Sequence, residues 1–167
     1  METELIKRCQ RGDVSAFKIV YDRYHQPMLR VAYRMLGVQQ DAEDAVQSTF
    51  LKLYRSIGKF RFQAKFSTYL FQILTHVCFD GIRSQKKHQT EQLDTVRIGV
   101  EQNTDLKIQL EHAIANLPDR MRMCFVLFAI EDFKLEEIAV IMGMTLGGAK
   151  STLYQARVRL QKTLRFE

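Results

Sequence analysis

Apolar residues return every three or four positions along nearly the whole chain, and nowhere do they alternate long enough to build a sheet. That regularity restricts the fold to packed helices. Helix breakers are correspondingly sparse: 2 Pro and 8 Gly in 167 residues leave no room for collagen-like or linker-rich architectures. Leu5, Ile6 and Cys9 mark a first amphipathic segment, which breaks at Gly12-Asp13. Asp13 is placed to cap a second helix through Phe17, Val20, Tyr21 and Tyr24. Pro27 suits the first turn of a third helix ending near Gly37. Asp41 opens the next, with Val46, Phe50, Leu53, Tyr54 and Ile57 on one face, and Gly58 closes it. A helix from about Phe66 to Arg83 follows.

Residues 84–105 are polar and lack a period. The chain is therefore expected to divide into a helical module at 1–89, a flexible linker at 90–105 and a second helical module at 106–167. In the second module Leu110, Ile114 and Leu117 stop at Pro118, and a helix from about Asp119 carries Met123 and Phe125 to Phe128. The expected fold class is all-α, two small helical domains joined by a linker.

Composition removes several functional classes. Hydrophobic residues make up 46% and charged residues 26%, which is ordinary for a globular chain. The longest apolar run, Met123 to Ile130, is far below the roughly 20 residues needed to cross a bilayer. The N-terminal segment lacks the basic-then-apolar order of a secretory signal. Cys9, Cys78 and Cys124 are scattered without metal-ligand spacing, so buried free thiols, a cytoplasmic location, no metal and no cofactor are expected. No phosphate-binding glycine loop or nucleophile–base set supports an enzyme.

Charge gives the first positive indication. Lys and Arg number 25 against 19 Asp and Glu, a net charge of +6. Residues 1–90 carry 15 basic and 8 acidic side chains, residues 91–105 carry 1 and 4, and no acid lies between Glu137 and Glu167. Two basic surfaces separated by an acidic stretch suit a polyanion touched in two places.

Residues 134–164 hold the clearest motif. Leu135, Ile138, Ala139, Ile141 and Met142 make a short amphipathic helix, and Gly143 gives a tight exit. Thr145 caps a second helix with Ala149, Leu153, Ala156 and Leu160 inward and Lys150, Ser151, Tyr154 and Arg157 outward. A helix of this kind fits the major groove, and its first turns reach base edges. Residues 58–71 form the second motif. Phe60, Phe62, Phe66, Tyr69 and Phe71 alternate with Lys59, Arg61 and Lys65, a composition that suits unstacked bases. Phe66 and Phe71 are assigned to the core and Phe62 to the surface. Arg83, Lys86, Lys87 and His88 extend a phosphate track.

Taken in order, these blocks resemble the extracytoplasmic-function group of bacterial RNA polymerase sigma factors over residues 4–165. The resemblance is carried by Arg-Gly-Asp-x-x-Ala-Phe at 11–17, the run Asp41 to Gln47 leading into Phe50-Leu51-Lys52-Leu53-Tyr54, Phe60-Arg61 before Phe66 to Leu70, Leu117-Pro118, and Glu136-Glu137-Ile138-Ala139 through Lys150-Ser151 to Ala156-Arg157. It implies two domains, regions 2 and 4. Region 2 would dock on the β′ clamp helices of core polymerase and open the −10 promoter element. Region 4 would dock on the β flap and read the −35 element. It further implies that Asp41, Glu43, Asp44, Gln47, Leu51, Lys52 and Arg55 bind core polymerase. Lys59, Arg61, Phe62, Gln63, Lys65, His76, Asp80, Arg83, Lys86 and Lys87 would meet −10 DNA. Thr145, Gly148, Lys150, Ser151, Thr152, Tyr154 and Arg157 would meet −35 DNA. An anti-sigma factor or a Ser/Thr kinase is a further partner of such proteins.

Departures from the group's pattern are informative. Tyr69 stands where a Trp is usual, and His76 where an Asn is usual. Gly147-Gly148 replace better helix formers, and Thr152 replaces an Arg. Ser48 and Thr49 follow Gln47 where an acid and an aliphatic residue are common, so phosphorylation at Thr49 or Ser48 would restore negative charge to the polymerase-facing helix. The alternative reading is a helix-turn-helix regulator that acts on an operator without replacing another sigma factor.

Overall fold

The computed structural model describes residues 1–91 and 105–165. Most of the expected linker, residues 92–104, therefore lies outside the described residues. The described chain runs α1 (Glu2–Gln10), α2 (Val14–Leu36), α3 (Gln39–Ser56), a 3-10 turn (Ile57–Lys59), α4 (Phe66–Glu91), α5 (Leu106–Ala115), α6 (Asp119–Ala129), α7 (Leu135–Met142) and α8 (Leu146–Thr163). No strand occurs among the described residues, as the apolar period requires.

In the first module α3 and α4 pack against α2, with α1 laid across it. Ile6, Val20, Met28, Leu53, Leu70 and Leu74 are fully buried at the centre. Truncating one of these to Ala would cost about 2–5 kcal/mol through lost burial and the cavity left behind. Asp13 caps α2 by accepting a hydrogen bond from the Ala16 N–H at 3.2 Å. That bond, with those from Ser15 and Arg8, holds the Asp13 carboxyl down at about 2. Pro27 does not start a new helix. It lies inside α2, and the buried stripe Val20, Met28, Val31, Ala32 and Met35 continues through it. The stripe outweighs the one backbone hydrogen bond that the proline cannot make. Gly37 ends α2 in the left-handed conformation, φ 77°, its N–H bonded to the Tyr33 carbonyl.

In the second module α6 and α7 pack against α8. Met123, Leu127, Ile138, Ile141, Ala149, Leu153, Ala156 and Leu160 are all buried, so the inward stripe expected for α8 is realised. Gly143 turns the chain between α7 and α8 at φ 63°, and Thr145 accepts from the Gly148 N–H at 3.0 Å. Gly147 and Gly148 occupy the first turn of α8 rather than its interior, where their helix-propensity cost is smaller. Three apolar or aromatic residues depart from the expected inward faces: Tyr54 is 64% exposed, and Tyr21 and Leu110 are also exposed.

The modules are not separate in space. α7 lies against α4 and α6 against α2, and the buried residues of both halves form one cluster. No helix among the described residues is long and apolar enough to cross a membrane.

Candidate nucleic-acid and polymerase interfaces

Three polar surfaces gather the residues singled out by sequence. The first is the outer face of α3. Ala42, Ala45, Val46, Phe50 and Leu53 bury its inner side, which turns Glu43, Asp44, Gln47, Ser48, Lys52 and Arg55 to solvent. Leu51 is 59% exposed among them and gives the patch an apolar anchor. Glu43 accepts from Gln39 and Asp44 from Gln40, both one turn back. Asp41 stands apart from the open face, half-buried and accepting from Gln85 Nε2 of α4 at 2.9 Å.

Ser48 and Thr49 have opposite surroundings. Ser48 is exposed, whereas Thr49 is fully buried and its Oγ1 donates to the Ala45 carbonyl at 2.8 Å. The reading of Thr49 as a phosphorylation site is corrected accordingly: a kinase cannot reach a hydroxyl held inside the core.

The second surface is the loop after α3 with the outer face of α4. Phe60 is buried and props the loop. Tyr69 stacks on one side of it at 4.9 Å, and Phe62 leans on it at 4.8 Å. Phe66 and Phe71 are core, and Phe62 is 37% exposed, as expected. Phe62 holds a left-handed backbone at φ 60°, which lifts its ring to the surface. Lys59, Arg61, Gln63 and Lys65 surround it, all exposed. Beside this group lies a hollow of about 230 Å³ with Lys59, Arg61, Gln63 and Tyr69 in its wall. Tyr69 is anchored by its hydroxyl, 2.6 Å from Ser56 Oγ. Further along α4, His76, Asp80, Arg83, Lys86 and Lys87 are exposed, with Asp80 paired to Arg83.

Gln10 supports this surface, and sequence reasoning missed it. From the end of α1 its Nε2 donates to the Ile57 carbonyl at 2.9 Å and the Phe60 carbonyl at 2.8 Å, pinning the root of the aromatic loop. Partners 47 and 50 residues apart leave no local signal.

The third surface is α8. Lys150, Ser151, Tyr154 and Arg157 are exposed along one side, and no acid occurs in the helix. Tyr154 is 69% exposed, and the Arg157 guanidinium lies over the Phe128 ring at 5.1 Å. Thr152 differs from its neighbours. It is half-buried and its hydroxyl donates to the Gly148 carbonyl at 2.8 Å, so it reaches outward less than the residues on either side. Gly148 serves the cap rather than offering a side chain. All three cysteines are free and buried; burial pushes the Cys78 thiol up to about 12 and Cys124 to about 11.

A helical bundle bearing an exposed aromatic-basic loop is joined here to a helix-turn-helix. The family described as Sigma-70 region 2 matches residues 20–88, and Sigma-70, region 4 matches residues 107–160. The chain is 32% identical to the ECF RNA polymerase sigma factor SigW of Bacillus subtilis, over 96% of this chain and 95% of that one. It is 29% identical to SigM of Mycobacterium tuberculosis, covering 98% and 84%. Among solved structures, the sigma factor RpoE in complex with the anti-sigma factor NepR from Bartonella quintana superposes with TM-score 0.75 at 25% identity, covering 90% of this chain and 98% of that one. This chain belongs to the ECF RNA polymerase sigma factors. It is a non-enzymatic factor for promoter-specific transcription initiation that binds core RNA polymerase and promoter DNA, and the operator-binding alternative is not favoured.

Proposed function

We propose that the three surfaces divide the work of initiation. The exposed face of α3, through Glu43, Asp44, Gln47, Leu51, Lys52 and Arg55, takes the β′ clamp helices, with Asp41 holding α3 against α4. The loop Lys59, Arg61, Phe62, Gln63 and Lys65 receives an unstacked −10 base, and His76, Asp80, Arg83, Lys86 and Lys87 follow the adjoining strand. Lys150, Ser151, Tyr154 and Arg157 enter the −35 major groove, with Thr145 and Gly148 fixing the helix start and Thr152 at its margin. Residues 1–89 and 106–167 are the two working lobes. Ser48, exposed beside Asp44, is the one hydroxyl of the pair where a phosphate would add charge to the polymerase face.

One observation carries the reading: Phe62 stands exposed among four polar or cationic neighbours on the same chain as a capped, acid-free helix. Melted bases need the first and paired bases the second. By likeness to relatives solved with their anti-sigma factors, such a factor is a natural regulator of this chain.

Run-off transcription with core polymerase and a promoter library tests the division. Phe62→Ala should lose open-complex formation while keeping polymerase binding. Tyr154→Ala and Arg157→Ala should weaken −35-dependent promoters selectively. Equal losses of polymerase binding in all three variants would refute the assignment. Treatment with a Ser/Thr kinase, compared between the natural chain and Ser48→Ala, tests the modification.

A further inference from the structure

Ion pairs fix how the two halves meet. Arg30 grips Glu131 with two bonds, 2.8 Å and 3.2 Å. Arg34 meets Glu111 at 2.9 Å, Lys65 meets Glu137 at 3.0 Å, and Lys86 meets Asp119 at 2.8 Å. In each the cation comes from the first module and the acid from the second. Phe133 adds an apolar contact, meeting Phe71 of α4 edge-on at 4.9 Å.

The halves do not fill the space between them. A cleft of about 330 Å³ remains where α4 faces α6 and α7, a size within the range of small-molecule sites. Its wall combines three kinds of group. Phe79, Ile82, Ile141 and Met142 are apolar, and Ile82 and Ile141 are buried. Arg83, Lys86 and Arg120 are cations, set against the one carboxylate of Asp119. That carboxylate is already engaged, accepting from Lys86 at 2.8 Å and from Arg122 at 2.9 Å. Arg83 shares its charge with Asp80, whereas Arg120 is exposed and forms no ion pair among the described residues. The last group is Thr75. It is 3% exposed, and its hydroxyl has no hydrogen-bond partner among the described residues. A buried hydroxyl left unsatisfied is costly, and one in the wall of a cleft is a donor held ready for a ligand.

We propose that this cleft is a binding site for a small organic anion with an apolar body and a carboxylate or phosphate head. The body lies on Phe79, Ile82, Ile141 and Met142, a surface that an inorganic ion would leave unused. Thr75 supplies a hydroxyl donor, and Arg120 with Arg83 supplies the opposing charge for the head. Because α4 forms one wall and α6 and α7 the other, the ligand stabilises the chain with its halves packed. Arg83 and Lys86 also belong to the surface assigned above to −10 DNA; the site stands without that assignment.

Methyl-resolved NMR of the full chain tests the site, with 1-naphthoate and 1-naphthyl phosphate as probes. Inorganic sulfate carries charge without the body, and 1-naphthamide the body without charge. At least one naphthyl anion should shift the Thr75, Ile82, Ile141 and Met142 methyls saturably and raise the melting temperature, and the tighter of the two names the head. Sulfate and 1-naphthamide should each bind roughly 10-fold more weakly. Arg120→Glu should weaken the anion by a similar factor. Thr75→Val keeps the shape of the side chain and removes the orphaned donor. It should leave the free chain at least as stable while weakening the probe roughly 5-fold. No saturable shift, shifts confined to other parts of the chain, or equal affinity for 1-naphthoate and 1-naphthamide overturns the proposal and leaves the promoter reading intact. Binding undiminished in both variants overturns it as well. So does a chain destabilised by Thr75→Val, because the hydroxyl would then be engaged within the fold.

Discussion

Replacing Gln10 with Met keeps the length and apolar stem of the side chain and removes both donors to the aromatic loop. Two partly buried hydrogen bonds are lost, to the Ile57 and Phe60 carbonyls. Each contributes about 1 kcal/mol net, because water competes for the same carbonyls. The loop root therefore loses about 1–2 kcal/mol of order. If that order must be restored before a base is captured, promoter opening weakens by about 5-fold to 30-fold. The assay is base-analogue fluorescence in the −10 strand, with holoenzyme assembled from the variant and core polymerase. Polymerase affinity, assigned above to α3, should not change. Urea unfolding of the free chain should register the same 1–2 kcal/mol, roughly. Normal promoter opening by Gln10→Met at reduced stability would refute the idea that α1 preorganises the loop.

Other outcomes follow from the same geometry. Thr145→Ala removes the α8 cap and should cost about 1 kcal/mol, seen as earlier melting together with weaker −35 binding. Arg157→Ala should weaken −35 duplex binding and lower the slope of log affinity against log salt by roughly one contact, checked by anisotropy titrations. Burial alone would raise the Glu137 carboxyl, but the Lys134 N–H and the Lys65 ammonium outweigh it and hold it below its ordinary value. A carboxylate lowered on folding stabilises above its unfolded pKa and loses that contribution as pH falls through the folded one. The Lys65–Glu137 contact should thus be complete at neutral pH and loosen in acid, and Lys65→Gln should move the Glu137 titration upward in a carboxyl-resolved NMR experiment. Cys78 and Cys124 should resist thiol reagents at mild alkaline pH until the chain is unfolded.

Much of the second module was legible because its signals are local. The Thr145 cap, the Gly143 turn and the four inward residues of α8 lie within 18 residues of one another and repeat at the helical period. The aromatic loop was readable too, since the positions of Phe62, Phe66 and Phe71 relative to charged neighbours separate surface from core. What escaped was non-local. Pro27 reads as a helix start, yet the apolar stripe on either side of it carries α2 through. Tyr54 sits at the spacing of the buried face, but its ring meets Phe17 edge-on at 5.6 Å from an outside position. Thr49 reads as a phosphorylation candidate beside Ser48 and proves to be core. Arg30 and Glu131 are 101 residues apart, and no period links them. Such pairs arise only once the two halves have folded and docked.

The uniform polarity of the contacts between the halves bears on life in a crowded cell. A chain with a formal charge of +6 would ordinarily be scavenged by bulk RNA and chromosomal DNA, since phosphate attraction is strong and blind to sequence. Pairing Arg30, Arg34, Lys65 and Lys86 with its own carboxylates offsets part of that attraction at those four positions.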